Sequence, residues 1–181
     1  MKFFKNINSN FLRIIFAIAL GTLWHYIFDL TNNNRFVAYI CPVNESIWEH
    51  LKLLFYPILI LSIVELILVR TKSNFIISRS LGLLTGLLSI IVLYFTYSGI
   101  IGENYTFVDI TIYVVSIFIT FGVSGMIKDS RISRSTIMSI LCIIIIIAFI
   151  VLFSIFTYKP PHIDLFKDMN TNSYSIVTKE K

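Results

Sequence analysis

Imidazole and carboxylate side chains crowd into one stretch of this chain, Pro42–Pro57. The polar residues near its start are Asn44, Glu45, Ser46, Glu49 and His50. Imidazoles and carboxylates transfer protons near neutral pH, and they are also ligands that zinc and other divalent metals accept. The stretch therefore predicts an acid–base site or a metal site.

A second set of such side chains lies elsewhere in the chain. His25 and Asp29 are four residues apart and so share one face of a helix. We expect the metal ligands to come from both sets and from two later positions; they are His25, Asp29 and His50, with Asp109 and His162. In the same hypothesis Glu45, Ser46 and Glu49 carry the catalysis, with a spare carboxylate as the base. The cofactor itself stays unknown, and the ligand types favour a divalent metal such as zinc.

A purely structural explanation covers part of this pattern. Pro42 interrupts whatever precedes it, and Ser46-x-x-Glu49 has the spacing of a capping box that opens a helix. Glu49 could therefore cap its own helix, and His50 could lie among the lipid headgroups. The sequence leaves both explanations open.

The composition indicates a membrane protein. Of the 181 residues 56% are hydrophobic and only 14% are charged, and the mean hydropathy is +0.83. Such values belong to helical proteins that cross a lipid bilayer several times, not to soluble domains. The net charge of +5 comes from basic residues in short segments between apolar runs, so we expect no nucleic-acid partner.

Five apolar segments are long enough to cross the ~30 Å hydrocarbon core as helices. They lie at about residues 11–30, 51–69, 81–101, 105–127 and 137–156. We predict an all-α fold, an integral membrane bundle of five transmembrane helices over residues 1–158. A polar external tail over residues 159–181 should follow it.

The Lys and Arg residues predict the orientation of this bundle. Three basic groups fall on the same side of the five spans: Lys2, Lys5 and Arg13, then Arg70, Lys72 and Arg79, then Lys128, Arg131 and Arg134. Because short cytoplasmic segments are enriched in Lys and Arg, the N-terminus should lie inside and the C-terminus outside. The predicted location is the cytoplasmic membrane of a bacterium. The histidines then come out near the external face, which predicts a pocket that opens outward.

Glu65 lies near the opposite end of its helix from this pocket. Arg13 should reach a similar depth, so we predict a structural ion pair between Arg13 and Glu65. The alternative is that Glu65 is one station of a proton or ion path.

Three functions fit these residues. The first is a metal-assisted hydrolase that acts on a lipid or envelope substrate. The second is a non-enzymatic binding or accessory protein that recognises a protein partner or a small ligand, and the third is ion or proton transport. Open metal coordination would indicate the hydrolase. An exposed surface that binds no metal would indicate the binding protein, and a continuous polar path would indicate transport.

One family resemblance rests on two motifs, His25-x-x-x-Asp29 and Pro42-Val43-Asn44-Glu45-Ser46-x-Trp48-Glu49-His50. Together they resemble a family of short multi-pass bacterial membrane proteins of unknown function. Three further parts of the chain look like landmarks of that family: Tyr97-Ser98-Gly99-Ile100, Asp109 and Pro160-Pro161-His162. The resemblance covers nearly the whole chain and implies a membrane fold, and it implies no activity.

A second and shorter resemblance concerns Ser46-x-x-x-His50 alone. It is similar to one motif of the membrane-embedded zinc hydrolases related to alkaline ceramidases. Those proteins have seven spans and a His-x-x-x-His pair in the last helix. This chain has five predicted spans and no such pair.

Overall fold

The computed structural model describes residues 2–68, 72–128, 130 and 135–174. Five α-helices follow one another in these ranges: α1 at Lys2–Leu30, α2 at Ile47–Leu68, α3 at Lys72–Ile101, α4 at Thr106–Lys128 and α5 at Thr136–Tyr158. Two short 3-10 helices lie outside them, η1 at Val37–Tyr39 and η2 at Asp164–Phe166. The described ranges contain no strand, so the all-α prediction is confirmed.

All five helices are long and apolar enough to cross a membrane. Each carries large hydrophobic side chains that stay exposed in the bundle, for example Ile15, Ile63, Leu88, Phe118 and Ile144. Exposed apolar surface of this extent needs an apolar surrounding. The predicted multi-pass membrane architecture is confirmed to that extent.

The third helix begins earlier than the apolar segment 81–101 that predicted it. Helix α3 already begins at Lys72. Ile77 and Arg79 are buried against the bundle there. The helix extends into this polar sequence because tertiary packing, more than local propensity, stabilises helices. Three of the residues used to predict the orientation, Arg70, Arg131 and Arg134, lie outside the described residues.

Helix α2 is the centre of the fold, because α1, α3, α5 and η2 all contact it. Its fully buried apolar side chains are Leu51, Leu54, Phe55 and Ile58. Pro57 lies inside this helix and leaves the Leu53 carbonyl without its helical donor. Gly21 of α1 packs against that carbonyl oxygen so closely that any Cβ would collide with it.

The most extensive helix contact joins α3 to α4. A Cβ at Gly82 would collide with the carbonyl oxygen of Thr120, and a Cβ at Gly86 would collide with the Thr120 hydroxyl. Small residues at these two positions let the helices approach each other closely. Ser89 Oγ adds a hydrogen bond to Ser116 Oγ at 2.8 Å.

The described part of the tail, residues 159–174, folds back onto the bundle. Phe166 of η2 is buried and packs on Trp48 of α2, with ring centroids 4.9 Å apart. The same ring contacts Phe156 of α5 at 5.2 Å. The tail therefore covers the start of α2, which carries several of the predicted site residues.

Candidate functional site

The segment 31–46 joins α1 to α2 and brings two helix ends together. It opens with Asn32 and Asn33, whose φ angles of 54° and 56° lie in the left-handed region that asparagine tolerates well. Trp24 of α1 donates its Nε1 hydrogen to the Ile40 carbonyl oxygen at 2.9 Å. These contacts place the end of α1 beside the first turn of α2.

Glu45 lies between two histidines at this end of the bundle. Its Oε1 is 3.5 Å from His25 Nε2, and its Oε2 is 3.2 Å from His50 Nε2. The two imidazole centroids are 5.5 Å apart. The side chains of His25, Glu45 and His50 are 30%, 40% and 31% exposed, so a ligand can reach them. We call these three residues the His–Glu cluster.

The second nitrogen of His50 shows where a proton must lie. His50 Nδ1 is 2.9 Å from the Ser46 carbonyl oxygen, and a carbonyl oxygen only accepts, so Nδ1 carries a hydrogen. The contact of His50 Nε2 with Glu45 at 3.2 Å is a hydrogen bond only if one of these two atoms also carries a hydrogen. Such a bond requires an imidazolium at His50 or a protonated Glu45. His50 and Glu45 are therefore placed to exchange a proton.

His25 completes the cluster from α1. Its Nδ1 is buried and has no hydrogen-bond partner in the part of the chain that the structure describes. A buried N–H without an acceptor is costly, so the favoured tautomer carries its hydrogen on Nε2, which faces Glu45. Glu45 then faces the Nε2 hydrogen of His25 as well as Nε2 of His50.

Asp29 and Asp109 lie close enough to the cluster to influence its imidazoles electrostatically. Asp29 is exposed one turn beyond His25 and contributes to the electrostatic surroundings of that imidazole. Asp109, in the first turn of α4, contributes to the electrostatic surroundings of the His50 imidazole. It also accepts a hydrogen bond from Tyr97 Oη of α3. Tyr97, for which no site role was predicted, ties α3 to α4 at this level.

Ser46 and Glu49 are much more buried than the cluster, at 1% and 2% exposure. Ser46 Oγ caps α2 by accepting the Glu49 N–H at 3.3 Å. The reciprocal half of the predicted capping box is replaced by other bonds. The Glu49 carboxylate accepts from the Val43 N–H at 3.1 Å, and the Ser46 N–H donates to Asn44 Oδ1 at 3.0 Å.

A buried lysine, Lys52, explains where the Glu49 carboxylate lies. Lys52 is fully buried, and its Nζ donates to Glu49 Oε2 at 2.7 Å and to Thr157 Oγ1 of α5 at 2.6 Å. The carbonyl oxygens of Ala38 and Cys41 accept from the same ammonium at 2.9 and 3.2 Å. Glu49 therefore belongs to a network that joins the segment 31–46 to α2 and α5. A lysine inside an apolar span is the sequence signal that could have found this network.

Cys41 borders that network and is fully buried. Burial raises the pKa of its thiol to about 11; the charge of Lys52 acts in the opposite direction and that of Glu49 adds to the rise. The thiol is therefore protonated at neutral pH, and the protonated form is a poor nucleophile.

Asp168 of the tail holds the backbone of Glu45. Its carboxylate is buried, and its Oδ2 accepts the Glu45 N–H at 3.1 Å. Its Oδ1 accepts from the N–H groups of Asn170 and Thr171 at 2.7 and 2.8 Å. The tail thus positions the residue that bridges the two histidines, a role that was not predicted for Asp168.

His162 stands apart from the other predicted ligands. It is exposed, and its ring stacks on Tyr174 with centroids 4.7 Å apart. Within the described ranges, no hydrogen bond, ion pair or ring contact joins it to His25 or His50. The structure does not bring His162 into the cluster.

Metal binding stays a prediction. The ranges that the structure describes contain no group of three or more His, Cys, Asp or Glu side chains placed to hold a metal ion. The residue types of the His–Glu cluster, two imidazoles and one carboxylate, are nevertheless types that zinc accepts.

Almost the whole chain, residues 3–176, matches the model of a family of unknown function, DUF6512. The chain belongs to the DUF6512 family. Comparison with curated proteins and with solved structures finds no match. The expected membership of a family of unknown function is confirmed, whereas the two motifs and the likeness to alkaline-ceramidase hydrolases gain no support.

At the opposite end of this DUF6512 chain, Glu65 of α2 lies between two arginines. Arg13 Nε of α1 donates to Glu65 Oε1, and Arg79 Nη2 of α3 donates to Glu65 Oε2 at 2.5 Å. Arg79 is buried, and its guanidinium carbon lies 4.5 Å from the centroid of the Phe121 ring. We call Arg13, Glu65 and Arg79 the arginine cluster; it holds two guanidinium groups against one carboxylate.

Proposed function

We propose that this protein is a membrane enzyme that cleaves an ester-type bond of a lipid or envelope substrate by acid–base catalysis in the His–Glu cluster. The observation that carries the proposal is the position of the Glu45 carboxylate, 3.2 Å from His50 Nε2 and 3.5 Å from His25 Nε2. Groups that exchange protons near neutral pH at a position a ligand can reach are what general acid–base catalysis requires.

The proposal includes an orientation. Arg13 of α1, Arg79 of α3 and Lys128 of α4 lie at the end of the bundle opposite to the His–Glu cluster, which supports a cytoplasmic N-terminus. The cluster and the tail would then face the outside of a bacterial cytoplasmic membrane. A substrate would reach them at the level of the outer headgroups.

Each member of the cluster has one role in the proposed reaction. Glu45 accepts a proton from water while the water oxygen bonds to the carbonyl carbon or phosphorus of the substrate. His50, as an imidazolium, gives its Nε2 proton to the leaving oxygen. The proton on Glu45 then passes to His50 and restores both groups, while His25 holds the carboxylate through its Nε2 hydrogen.

A metal-assisted hydrolase would use the same three residues as ligands. A non-enzymatic binding protein would use the exposed cluster for recognition alone, without turnover. Elemental analysis and a turnover assay on one preparation separate these alternatives from acid–base catalysis without a metal.

The test uses the purified protein in lipid nanodiscs, incubated with a lipid extract of bacterial membranes and followed by mass spectrometry. We expect hydrolysis products from the unmodified protein, and a rate about 100-fold lower in Glu45→Gln and His50→Gln. His162→Gln is the matched control, because this histidine is exposed outside the cluster, and it should keep the full rate.

Two results would overturn the proposal. The first is an unmodified protein that turns over nothing, and the second is a His50→Gln variant as fast as the control. Stoichiometric zinc that is lost in His50→Gln would replace it by the metal-assisted mechanism.

A further inference from the structure

A pocket with apolar walls opens between α2, α3 and α5 beside the arginine cluster. Its volume is about 190 Å³. The apolar walls are formed by Leu59, Ile63, Leu66, Phe75, Ile143 and Ile147. Because Ile63 and Ile147 are each 54% exposed, the pocket opens to the lipid-facing surface.

Arg79 is the charged group on the wall of this pocket. It is 8% exposed, and its Nη2 is occupied by Glu65. Its Nε and Nη1 are also buried, yet no acceptor for them occurs in the described ranges of the chain. Buried donors without an acceptor are costly, so an anionic oxygen at this position would be held firmly.

The charge of the arginine cluster indicates the same kind of ligand. Taken by themselves, the three residues of the cluster carry two guanidinium groups and one carboxylate, an excess of one positive charge. Phosphate oxygens match the forked donors of a guanidinium group. Arg79 lies five residues after Asn74, where the candidate membrane span of α3 begins, and so about 7.5 Å along the helix axis from that end of the span.

We infer that this pocket binds an anionic phospholipid, with an acyl chain between α2, α3 and α5 and the phosphate at Arg79. The apolar walls favour a lipid over free phosphate, and the excess positive charge favours an anionic headgroup over a zwitterionic one. The site is at the opposite end of the bundle from the His–Glu cluster, so the inference is independent of the proposed enzymatic function.

The test is lipid retention by native mass spectrometry, together with thermal unfolding in nanodiscs of phosphatidylglycerol or phosphatidylcholine. We expect phosphatidylglycerol to bind about tenfold more tightly than phosphatidylcholine and to raise the unfolding temperature. Ile147→Trp fills the mouth of the pocket and should remove that preference. Ile144→Trp is the matched control, since Ile144 is 55% exposed on the same helix outside the pocket.

Arg79→Gln should also lose the preference while Arg13 still pairs with Glu65. If that variant does not fold, Ile147→Trp decides, because it changes no charge. Equal binding of both lipids by the unmodified protein, or an unchanged preference in Ile147→Trp, would overturn the inference. Stabilisation by inorganic phosphate equal to that by phosphatidylglycerol would also overturn it, since a free anion would then be the ligand.

Discussion

Lys52 Nζ lies 2.7 Å from Glu49 Oε2, and neither side chain is more than 3% exposed. The two residues are one turn apart on α2, and Thr157 of α5 contacts both. A charge that loses its partner in such a place has no water to replace it. The stability of the bundle should therefore depend on this pair being complete.

Lys52→Met should lower the free energy of unfolding by about 3–5 kcal/mol, because it leaves the Glu49 carboxylate buried without a counter-charge. The double variant Lys52→Met, Glu49→Leu should recover much of that loss. Thermal unfolding in detergent measures both, with Lys159→Met as an exposed control. A Lys52→Met protein as stable as the control would contradict the prediction.

Glu65→Gln should destabilise the protein by about 3 kcal/mol, because it leaves Arg13 and Arg79 without their shared carboxylate. The double variant Arg13→Met, Glu65→Leu still buries an uncompensated Arg79. Only the triple variant with Arg79→Met should approach the original stability. Unfolding of the three variants in one detergent gives their order, and a double variant as stable as the triple would show that Arg79 needs no counter-charge.

Cys41 should react slowly with iodoacetamide at neutral pH, because its pKa is raised to about 11 and the thiolate is the reactive form. Its alkylation rate should keep rising with pH until the thiol ionises. Phe36→Cys, at a position that is 83% exposed, is the control in a background without other cysteines. Its rate should level off above about pH 9. Equal rates for the two thiols at neutral pH would show that burial does not protect Cys41.

A membrane-impermeant maleimide on intact cells should label Phe36→Cys and not Asn74→Cys. Phe36 lies in the segment at the His–Glu end of the bundle, and Asn74 lies in the first turn of α3 at the other end. Both positions should react after the membrane is permeabilised, which controls for access. Labelling of position 74 from outside would reverse the proposed orientation, and the cluster would then face the cytoplasm.

Asp168→Ala should release the backbone of Glu45, because it removes the acceptor of a bond of 3.1 Å. A buried donor left without its acceptor costs about 1–3 kcal/mol. We expect faster amide hydrogen exchange at Glu45 and a lower unfolding temperature. Asp164→Ala, exposed in η2, is the control. Unchanged exchange at Glu45 would mean that the tail does not position it.

The five helices could be predicted from apolar length alone, because a segment that crosses lipid must satisfy its own backbone hydrogen bonds. The start of α3 could not be predicted in the same way. Its first turns look polar, and they are helical because Ile77 and Arg79 find burial partners only in the assembled bundle.

The site was partly predictable for a similar reason. A short connection between antiparallel helices allows few arrangements, so His25, Glu45 and His50 had to lie near one another. The structural role of Glu49 depends on Lys52 and on Thr157, which is 105 positions from Lys52. The contact of Asp168 with Glu45 spans 123 positions and depends on how the tail packs. No local pattern carries such information.

The arginine cluster also bears on how the chain enters the bilayer during synthesis. Charged side chains raise the cost of inserting a helix, and helices leave the ribosome in chain order. Arg13, which is 35% exposed, can extend toward the headgroups until α2 arrives with Glu65. When α3 follows, its Arg79 finds that carboxylate already in the membrane. Glu49 and Lys52 neutralise each other within α2 itself. The buried charges of α2 and α3 therefore have their partners in the same helix or in a helix that has already been made.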